Sequence, residues 1–208
     1  MSKTAHYIDN TIIKRIRAKR SGWCFSPTDF ADLGSGSVIW VALHRLTRLK
    51  IIRRLARGIY DFPKTHPGLG CLSPDPEVVA AALARNAASR IQPTGAFAAN
   101  LLGLSEQVPA RIVFLTDGAS RRVKIGAQEI RMKRTTPRNM ATAGRISGIM
   151  IQALRHIGER EISPAHIRIL RKRLSSKEKQ IVLRDRIYAP AWMRPHLIEI
   201  ADGSSAAR

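Results

Sequence analysis

The chain is poor in cysteine and has no long apolar segment. Cys24 and Cys71 are its only cysteines, too few for a disulfide framework and without the paired spacing of a zinc site. No apolar run approaches the roughly 18 residues that a membrane span requires. The N-terminus also lacks the apolar core of a signal peptide. These absences predict a cytoplasmic protein with no metal, no cofactor and no membrane partner.

Acidic residues and catalytic motifs are also scarce. The chain has 15 acidic residues among 208. It contains no G-x-x-x-x-G-K-[ST] phosphate loop, no G-x-S-x-G elbow and no kinase motif. Asp117 and Glu129 would meet only if a sheet of suitable register brought them together. We therefore expect no catalytic residues and a protein that is not an enzyme.

Positive charge is abundant and unevenly distributed. The chain has 36 lysine and arginine residues and a formal net charge of +21. Residues 1–62 carry +8, residues 63–129 carry +2 and residues 130–208 carry +11. A chain of this charge should bind polyanions. Charge alone does not distinguish DNA from RNA or the ribosome.

The first 60 residues have the pattern of a helix-turn-helix. Residues 11–19 set Ile12, Ile13 and Ile16 against basic residues, which is typical of a supporting helix. Ser26 is a good N-cap before Pro27, so a short helix is predicted over residues 26–33 with Phe30 and Leu33 facing inward. The Gly34-Ser35-Gly36-Ser37 turn then introduces a third helix.

The third helix and the hairpin after it are the most informative part of the chain. Apolar residues of the third helix recur at intervals of three and four and therefore lie on one side of it. They are Ile39, Ala42, Leu43, Leu46 and Leu49. After Lys50 the period changes to alternation around an Arg57-Gly58 turn, which predicts a basic hairpin. This order is that of a winged helix-turn-helix, with the third helix as the recognition helix. The predicted DNA-binding residues are Ser37, Trp40, His44, Arg45, Arg48, Arg53, Arg54 and Arg57.

Four prolines and two glycines between Asp61 and Pro76 predict a linker. The predicted domains are a winged helix-turn-helix over residues 1–62, a linker over 63–76 and a C-terminal domain over 77–208. For the C-terminal domain the periodicity predicts a small sheet of strands 111–116, 121–125 and 128–133. It also predicts helices over residues 77–90, 96–102, 142–156, 163–174, 176–187 and 190–200.

Three stretches resemble the AbiEi-type antitoxins of bacterial type IV toxin-antitoxin and abortive-infection systems. They are the wing segment from Leu46 to Tyr60, the run PTGAFAANLLGLSEQVPARIVFLTDG from Pro93 to Gly118, and SRRVKIGAQEIRMKRTTP from Ser120 to Pro137. Together they cover most of residues 20–140. The central run is the most specific, although its glycines, prolines and leucines could serve the fold alone.

The resemblance implies a repressor of its own operon that also counters a nucleotidyltransferase toxin. The expected fold class is α+β, with an N-terminal winged helix-turn-helix and a C-terminal mixed α/β antitoxin domain that has a small sheet and several helices. Expected partners are operator DNA, a second copy of the chain on that DNA, and the cognate toxin, without a stable complex being assumed. The alternatives are a stand-alone winged-helix regulator and a basic RNA-binding protein. Candidate residues of the antitoxin domain are Asp117, Arg121, Arg122, Arg171, Lys172 and Arg173.

Overall fold

The computed structural model describes the backbone of residues 3–203 and the side chains of residues 7–203. This part of the chain contains several helices and small sheets, so the fold is mixed α/β and compatible with the predicted α+β class. The described chain divides into two compact units. The first extends to Ser89 and includes Val123–Gln128, and the second comprises Arg90–Arg122 and continues from Glu129.

The first unit combines helices with two small antiparallel sheets. Its elements are α1 (Lys3–Ala18), β1 (Cys24–Phe25), a 3₁₀ helix (Pro27–Leu33), α2 (Gly36–Arg48), β2 (Arg53–Ala56), β3 (Ile59–Asp61), β4 (Thr65–His66), β5 (Gly70–Cys71) and α3 (Pro76–Asn86). Strand β3 lies between β1 and β2, and β4 pairs with β5. The predicted third helix is present as α2, and the predicted hairpin around Arg57-Gly58 is formed by β2 and β3. Strand β1 was not predicted.

The core of the first unit forms where the apolar sides of α1 and α2 meet the three-stranded sheet. The ring of Phe25 lies 5.4 Å from that of Phe30 and 6.1 Å from that of Tyr60, measured between centroids. Burial of these apolar faces is the main stabilising contribution to such a small unit. The buried core residues are Ile8, Ile12, Ile16, Phe25, Phe30, Ile39, Ala42, Leu43, Leu46, Ile52 and Tyr60.

Several predictions for the first unit need correction. Leu49 is 66% exposed, because α2 ends at Arg48 and Lys50 adopts a positive φ of 57° that turns the chain away. The helix after Ser26 is 3₁₀ rather than α, with a kink at Phe30. The N–H of Ser26 donates to the carboxylate of Asp29 at 2.8 Å, which fixes the start of this helix. Helix α1 also extends further towards the N-terminus than the predicted residue 11.

The segment predicted as a linker contains the β4–β5 hairpin, and the helix after it packs on the first unit. Helix α3 begins at Pro76, where the carboxylate of Asp75 accepts from the N–H of Glu77 at 2.8 Å. It buries Val79 and Leu83 and contacts β1. Arg85 donates to the carbonyl of Cys24 at 2.9 Å. These contacts explain why the compact unit extends to Ser89 and not to residue 62.

The second unit has one sheet and most of the helices. Its elements are β6 (Ile91–Thr94), α4 (Gly95–Leu101), β7 (Arg111–Thr116), β8 (Arg121–Ile125), β9 (Gln128–Arg134), α5 (Pro137–Met140), α6 (Ile146–Ile157), a 3₁₀ turn (Glu159–Glu161), α7 (Pro164–Arg173), α8 (Ser176–Asp185), two further 3₁₀ turns (Arg186–Tyr188, Ala191–Met193) and α9 (Arg194–Asp202). The end of β8 and the first residue of β9 fall in the segment Val123–Gln128, which is grouped with the first unit. The sheet order is β6-β7-β9-β8, with β7 and β9 parallel. The three predicted strands are confirmed, and β6 is a fourth that was not predicted.

The helical core of the second unit surrounds α6, which contacts α4, β6 and α8. Met150, Ala153 and Leu154 of α6 are fully buried, and Ile167, Leu170 and Val182 of the following helices cover them. Ile169 of α7 is 41% exposed. A polar contact lies within this core, where the hydroxyl of Thr94 donates to the side-chain oxygen of Gln152 at 2.9 Å.

Gly148 allows the close approach of α6 to its neighbours. A Cβ at this position would collide with the backbone oxygen of Thr142 and the side-chain oxygen of Gln92. Alanine normally stabilises a helix interior by about 1 kcal/mol relative to glycine, but overpacking costs about 1–3 kcal/mol. We expect Gly148→Ala to lower the free energy of unfolding by about 1–2 kcal/mol, as measured by urea denaturation.

Gly36 provides the matched control for this change. It is the first residue of α2, and a Cβ there would have nothing within 4 Å. Gly36→Ala should therefore change the stability by less than about 0.5 kcal/mol. Equal stabilities for the two variants would show that the site around Gly148 relaxes without cost.

Candidate nucleic-acid interface

One side of α2 is buried in the first unit and the other side is exposed. Ile39, Leu43 and Leu46 are at most 1% exposed, whereas Trp40 is 53% exposed and Val41 is 43% exposed. Ser37, His44 and Arg48 are exposed on the same outer side. Helix α2 therefore presents polar, aromatic and basic groups together, at the spacing of three and four residues that our sequence analysis predicted.

The aromatic part of this outer surface is ordered by a stacking contact. The rings of Trp40 and His44 lie one helical turn apart, with centroids 5.5 Å apart and planes inclined by 4°. The hydroxyls of Ser35 and Ser37 lie 3.0 Å apart at the start of the helix. Because the stack already restricts the side chain of Trp40, binding a partner there would cost little further side-chain entropy. An exposed, ordered tryptophan of this kind favours a role in a contact surface.

The β2–β3 hairpin adds a basic edge after α2. Its turn is Arg57-Gly58, where Gly58 has a φ of +74° that favours glycine. Arg54 and Arg57 are exposed, whereas Ile59 and Tyr60 are buried against the core. Arg54 and Arg57 therefore lie on the outer side of the hairpin, as expected of residues that contact phosphates.

Two of the predicted DNA-binding arginines have structural partners instead. Arg45 donates to both carboxylate oxygens of Asp9, at 2.9 and 2.7 Å, and so joins α2 to α1. Arg53 binds the carboxylate of Asp61 at 3.1 and 2.6 Å and the carbonyl of Leu72 at 3.0 Å. Asp61 is 1% exposed, so Arg53 neutralises a buried charge. We therefore remove Arg45 and Arg53 from the predicted contact surface.

The two cysteines lie in different environments. Cys24 is fully buried, and burial, followed by the nearby charge of Asp61, raises the pKa of its thiol to about 12. A thiol of this pKa stays protonated near neutral pH and is inert. Cys71 is exposed and accepts from a guanidinium nitrogen of Arg53 at 3.1 Å.

The sheet of the second unit carries a basic groove, open to solvent, of about 550 Å³. Among the described residues that line it, five are basic and none is acidic. It contains Arg121 and Arg122 of the predicted antitoxin-domain site. The lining residues are Arg111, Val113, Ser120, Arg121, Arg122, Arg131, Met132 and Lys133.

One carboxylate organises three arginines beside this groove. Glu129 lies opposite Arg111 in the β7–β9 register. Its carboxylate oxygens are 2.5 Å from Nε of Arg131, 3.0 Å from Nε of Arg122 and 3.6 Å from Nε of Arg111. The hydrogen bond from Arg131 lowers the pKa of Glu129, and the charges of the three arginines lower it further. Glu129 therefore remains an anion and cannot act as a proton donor near neutral pH.

The remaining candidates lie elsewhere in the second unit. Asp117 follows β7 and binds Arg90, whose backbone N–H donates to it at 2.7 Å and whose Nε donates at 2.8 Å. The hydrogen bonds from Arg90 lower the pKa of Asp117. In the β7–β9 register Asp117 lies about 20 Å along the strands from Glu129, so the two carboxylates do not form a catalytic pair.

The three basic residues of α7 have different environments. Arg171 donates to the carbonyl of Glu199 at 2.8 Å, near the C-terminus of α9, where a positive charge stabilises the helix dipole. Lys172 and Arg173 are exposed. We therefore correct the prediction for Arg171, which supports the fold, whereas Lys172 and Arg173 remain surface candidates.

Sequence reasoning did not select Arg111, Arg131 or Lys133. Arg131 and Lys133 follow Glu129 at intervals of two in a strand that was predicted correctly, so alternation alone places these three residues on one face. The participation of Arg111 depends on the parallel pairing of β7 with β9, which no local pattern indicates.

In residues 3–203, no group of three or more potential ligands is arranged to hold a metal ion. The same residues contain no helix of the length and apolarity needed to cross a membrane.

Comparison with known families places the chain in one of them. The family model DUF6088, a family of unknown function, matches residues 11–182, which is more than half of the chain. The chain belongs to this family. The matched range includes α2, the β2–β3 hairpin and the basic groove. No curated protein and no solved structure matches the chain.

Proposed function

We propose that the first unit is a winged helix-turn-helix that binds duplex DNA, and that the protein represses its own operon. In this proposal α2 is the recognition helix and enters the major groove. The β2–β3 hairpin is the wing and contacts phosphates or the adjoining minor groove. The observation that carries the proposal is the exposed side of α2, where Ser37, Trp40, His44 and Arg48 face outward from a helix whose other side is buried.

The order of elements supports this proposal. Helix α1, strand β1, the 3₁₀ helix, α2 and the β2–β3 hairpin follow one another within about 60 residues, and β1 pairs with the inner strand of the hairpin. Winged helices have this order. The net charge of +8 on residues 1–62 favours an anionic partner, although it does not select one.

The exposed side chains also fit the chemistry of a major groove. An arginine can donate two hydrogen bonds to the acceptors of a guanine edge, and apolar groups can contact a thymine methyl. Arg48 lies in the last turn of α2, and the Trp40–His44 stack lies one to two turns before it. Arg54 and Arg57 are on the hairpin, where a phosphate contact would anchor the protein without reading the sequence.

We further propose that the protein is an antitoxin that counters a nucleotidyltransferase toxin encoded next to it. The support is the similarity of residues 93–118 and 120–137 to AbiEi-type antitoxins, together with a second unit that has its own core and its own basic surface. Antitoxin action is assigned to the second unit and repression to the first. A nucleotidyltransferase-like reading frame directly downstream would favour this proposal over a stand-alone regulator.

A separation-of-function experiment tests the assignment. The double variant R48A/R54A, expressed from an unrelated promoter, should lose repression of a reporter driven by the operon's own upstream DNA. It should still rescue cells that express the neighbouring toxin, because the second unit is unchanged. The matched control is R160A/R168A, which removes two exposed arginines of the second unit outside the basic groove.

Two results would contradict the assignment. If R48A/R54A lost rescue together with repression while folding normally, repression or the intact DNA-binding surface would be the antitoxic agent. If neither the parent protein nor the variant rescued the cells, the antitoxin half of the proposal would be wrong, and the DNA-binding half would be judged on the reporter alone.

A further inference from the structure

We propose that the basic groove on the sheet of the second unit binds the phosphate backbone of a single-stranded nucleic acid without reading its sequence. The groove lies outside α2 and the β2–β3 hairpin, so this site is independent of the DNA-binding function proposed above. Its main ligating groups are Arg111, Arg122, Arg131 and Lys133, with Arg121 and Ser120 at the same surface.

The charge of the groove exceeds what the fold requires. One carboxylate, Glu129, contacts three arginines, which leaves a local excess of two positive charges before Lys133 is counted. The side chains of Arg111 and Arg122 are 62% and 68% exposed, so these arginines are not needed to neutralise a buried charge. Concentrated positive charge in a concave site attracts an extended anion more strongly than charge on a flat surface.

The arrangement of the cations indicates an extended ligand. Glu129, Arg131 and Lys133 occupy alternate positions of β9, so their side chains follow one another along the strand at about 7 Å. Arg111 lies across from this row on β7, and Arg122 lies on β8. A row of basic groups along an open groove is how single-stranded nucleic acids are held by their backbone.

The chemistry of the lining favours a phosphate chain over a free nucleotide or a base-reading site. The described lining residues include no aromatic side chain on which a base could stack. The one carboxylate beside the groove, that of Glu129, is engaged by three arginines and is therefore not free to share the Mg²⁺ of a nucleoside triphosphate. Val113, which lies opposite Arg131 in the β7–β9 register, supplies an apolar contact for sugars or bases that does not select among them.

Glu129 acts as an internal competitor of the ligand. Its carboxylate occupies the guanidinium groups that would otherwise contact phosphates. A phosphate oxygen accepts the same charge-assisted hydrogen bonds from arginine. Removing the charge of Glu129 should therefore strengthen RNA binding, a gain that misfolding cannot produce.

Fluorescence anisotropy with labelled oligouridylate of about 12 nucleotides tests the site on the full chain at several salt concentrations. R111Q/R122Q should weaken binding about tenfold and reduce the slope of log K against log salt by about 1.4 units, since each lost contact contributes about 0.7. E129Q should tighten binding about threefold. The matched controls R160Q/R168Q and E161Q make the same charge changes at exposed positions outside the groove, and each should stay within twofold of the parent protein.

Five results would overturn the proposal. If R160Q/R168Q weakened binding as much as R111Q/R122Q, net charge would explain the affinity. If E129Q did not exceed E161Q, Glu129 would not compete with RNA. If UTP displaced the oligonucleotide at equal molar concentration, the site would belong to a mononucleotide. If random duplex DNA bound with the same dependence on Arg111 and Arg122, the groove would be a duplex site. Loss of RNA binding in R48A/R54A alone would also overturn it, because the first unit would then hold the RNA.

Discussion

Replacing Arg48 with alanine should weaken binding to the operon's own upstream DNA by about 1–3 kcal/mol and relax the preference for that sequence. Arg48 is exposed in the last turn of α2, on the same side as Ser37 and His44. A guanidinium at this position can reach a base edge, so its loss should be felt on the operator more than on random DNA. Gel-shift titrations on both DNAs measure the difference.

Arg54 on the hairpin is the matched control for Arg48. It is also an exposed arginine of the first unit, but it lies on the hairpin and should contact a phosphate. Arg54→Ala should weaken operator and random DNA alike and reduce the salt slope by about one unit. If Arg48→Ala caused equal losses on the two DNAs, α2 would not be the element that reads the sequence.

Arg53→Ala should destabilise the first unit by about 3 kcal/mol, because it leaves the buried carboxylate of Asp61 without its partner. The guanidinium holds this carboxylate at 3.1 and 2.6 Å and also donates to the carbonyl of Leu72. We place the effect at the low end for a broken buried pair, since the side chain of Arg53 is 33% exposed. Urea denaturation followed by circular dichroism measures the loss.

Two further variants separate the ion pair from a general effect of losing an arginine. Arg54→Ala should change the stability by less than about 0.5 kcal/mol, because its side chain is exposed. R53A/D61N should recover part of the stability, since the unpaired charge is gone. A stability of Arg53→Ala equal to that of Arg54→Ala would contradict the structural role of the Arg53–Asp61 pair.

The hairpin shows what could and could not be predicted from the sequence. The change from helical period to alternation at Lys50 located both α2 and the Arg57-Gly58 turn correctly. A regular two-residue hairpin at this turn would place Arg54 opposite Asp61, but a β-bulge between Arg54 and Ala56 shifts the register, so Arg53 faces Asp61 instead. Because the sequence does not reveal this bulge, it could not show that Arg53, and not its exposed neighbour Arg54, pairs with Asp61.

Long-range partners account for the other corrections. Arg45 has the helical spacing of a contact residue, but its partner Asp9 is 36 residues away on α1. Strand β6 has four residues and includes Pro93, so it shows no alternation, and it forms because β7 offers an edge for it. The basic groove of the second unit could not be predicted, because it depends on the parallel pairing of β7 with β9. Local periodicity therefore predicted elements and exposed faces, whereas ion pairs and the second basic surface depended on the tertiary fold.

The most direct test of the central claim is the affinity of the unmodified full chain for its operon's upstream DNA, compared with random duplex of the same length and measured at several salt concentrations. If α2 reads a sequence and the hairpin anchors it, the upstream DNA should bind at least about 10³-fold more tightly at physiological salt. Binding to both DNAs should weaken steeply as salt is raised. Equal affinities for the two DNAs at every salt concentration would contradict the account and leave only non-specific electrostatic binding.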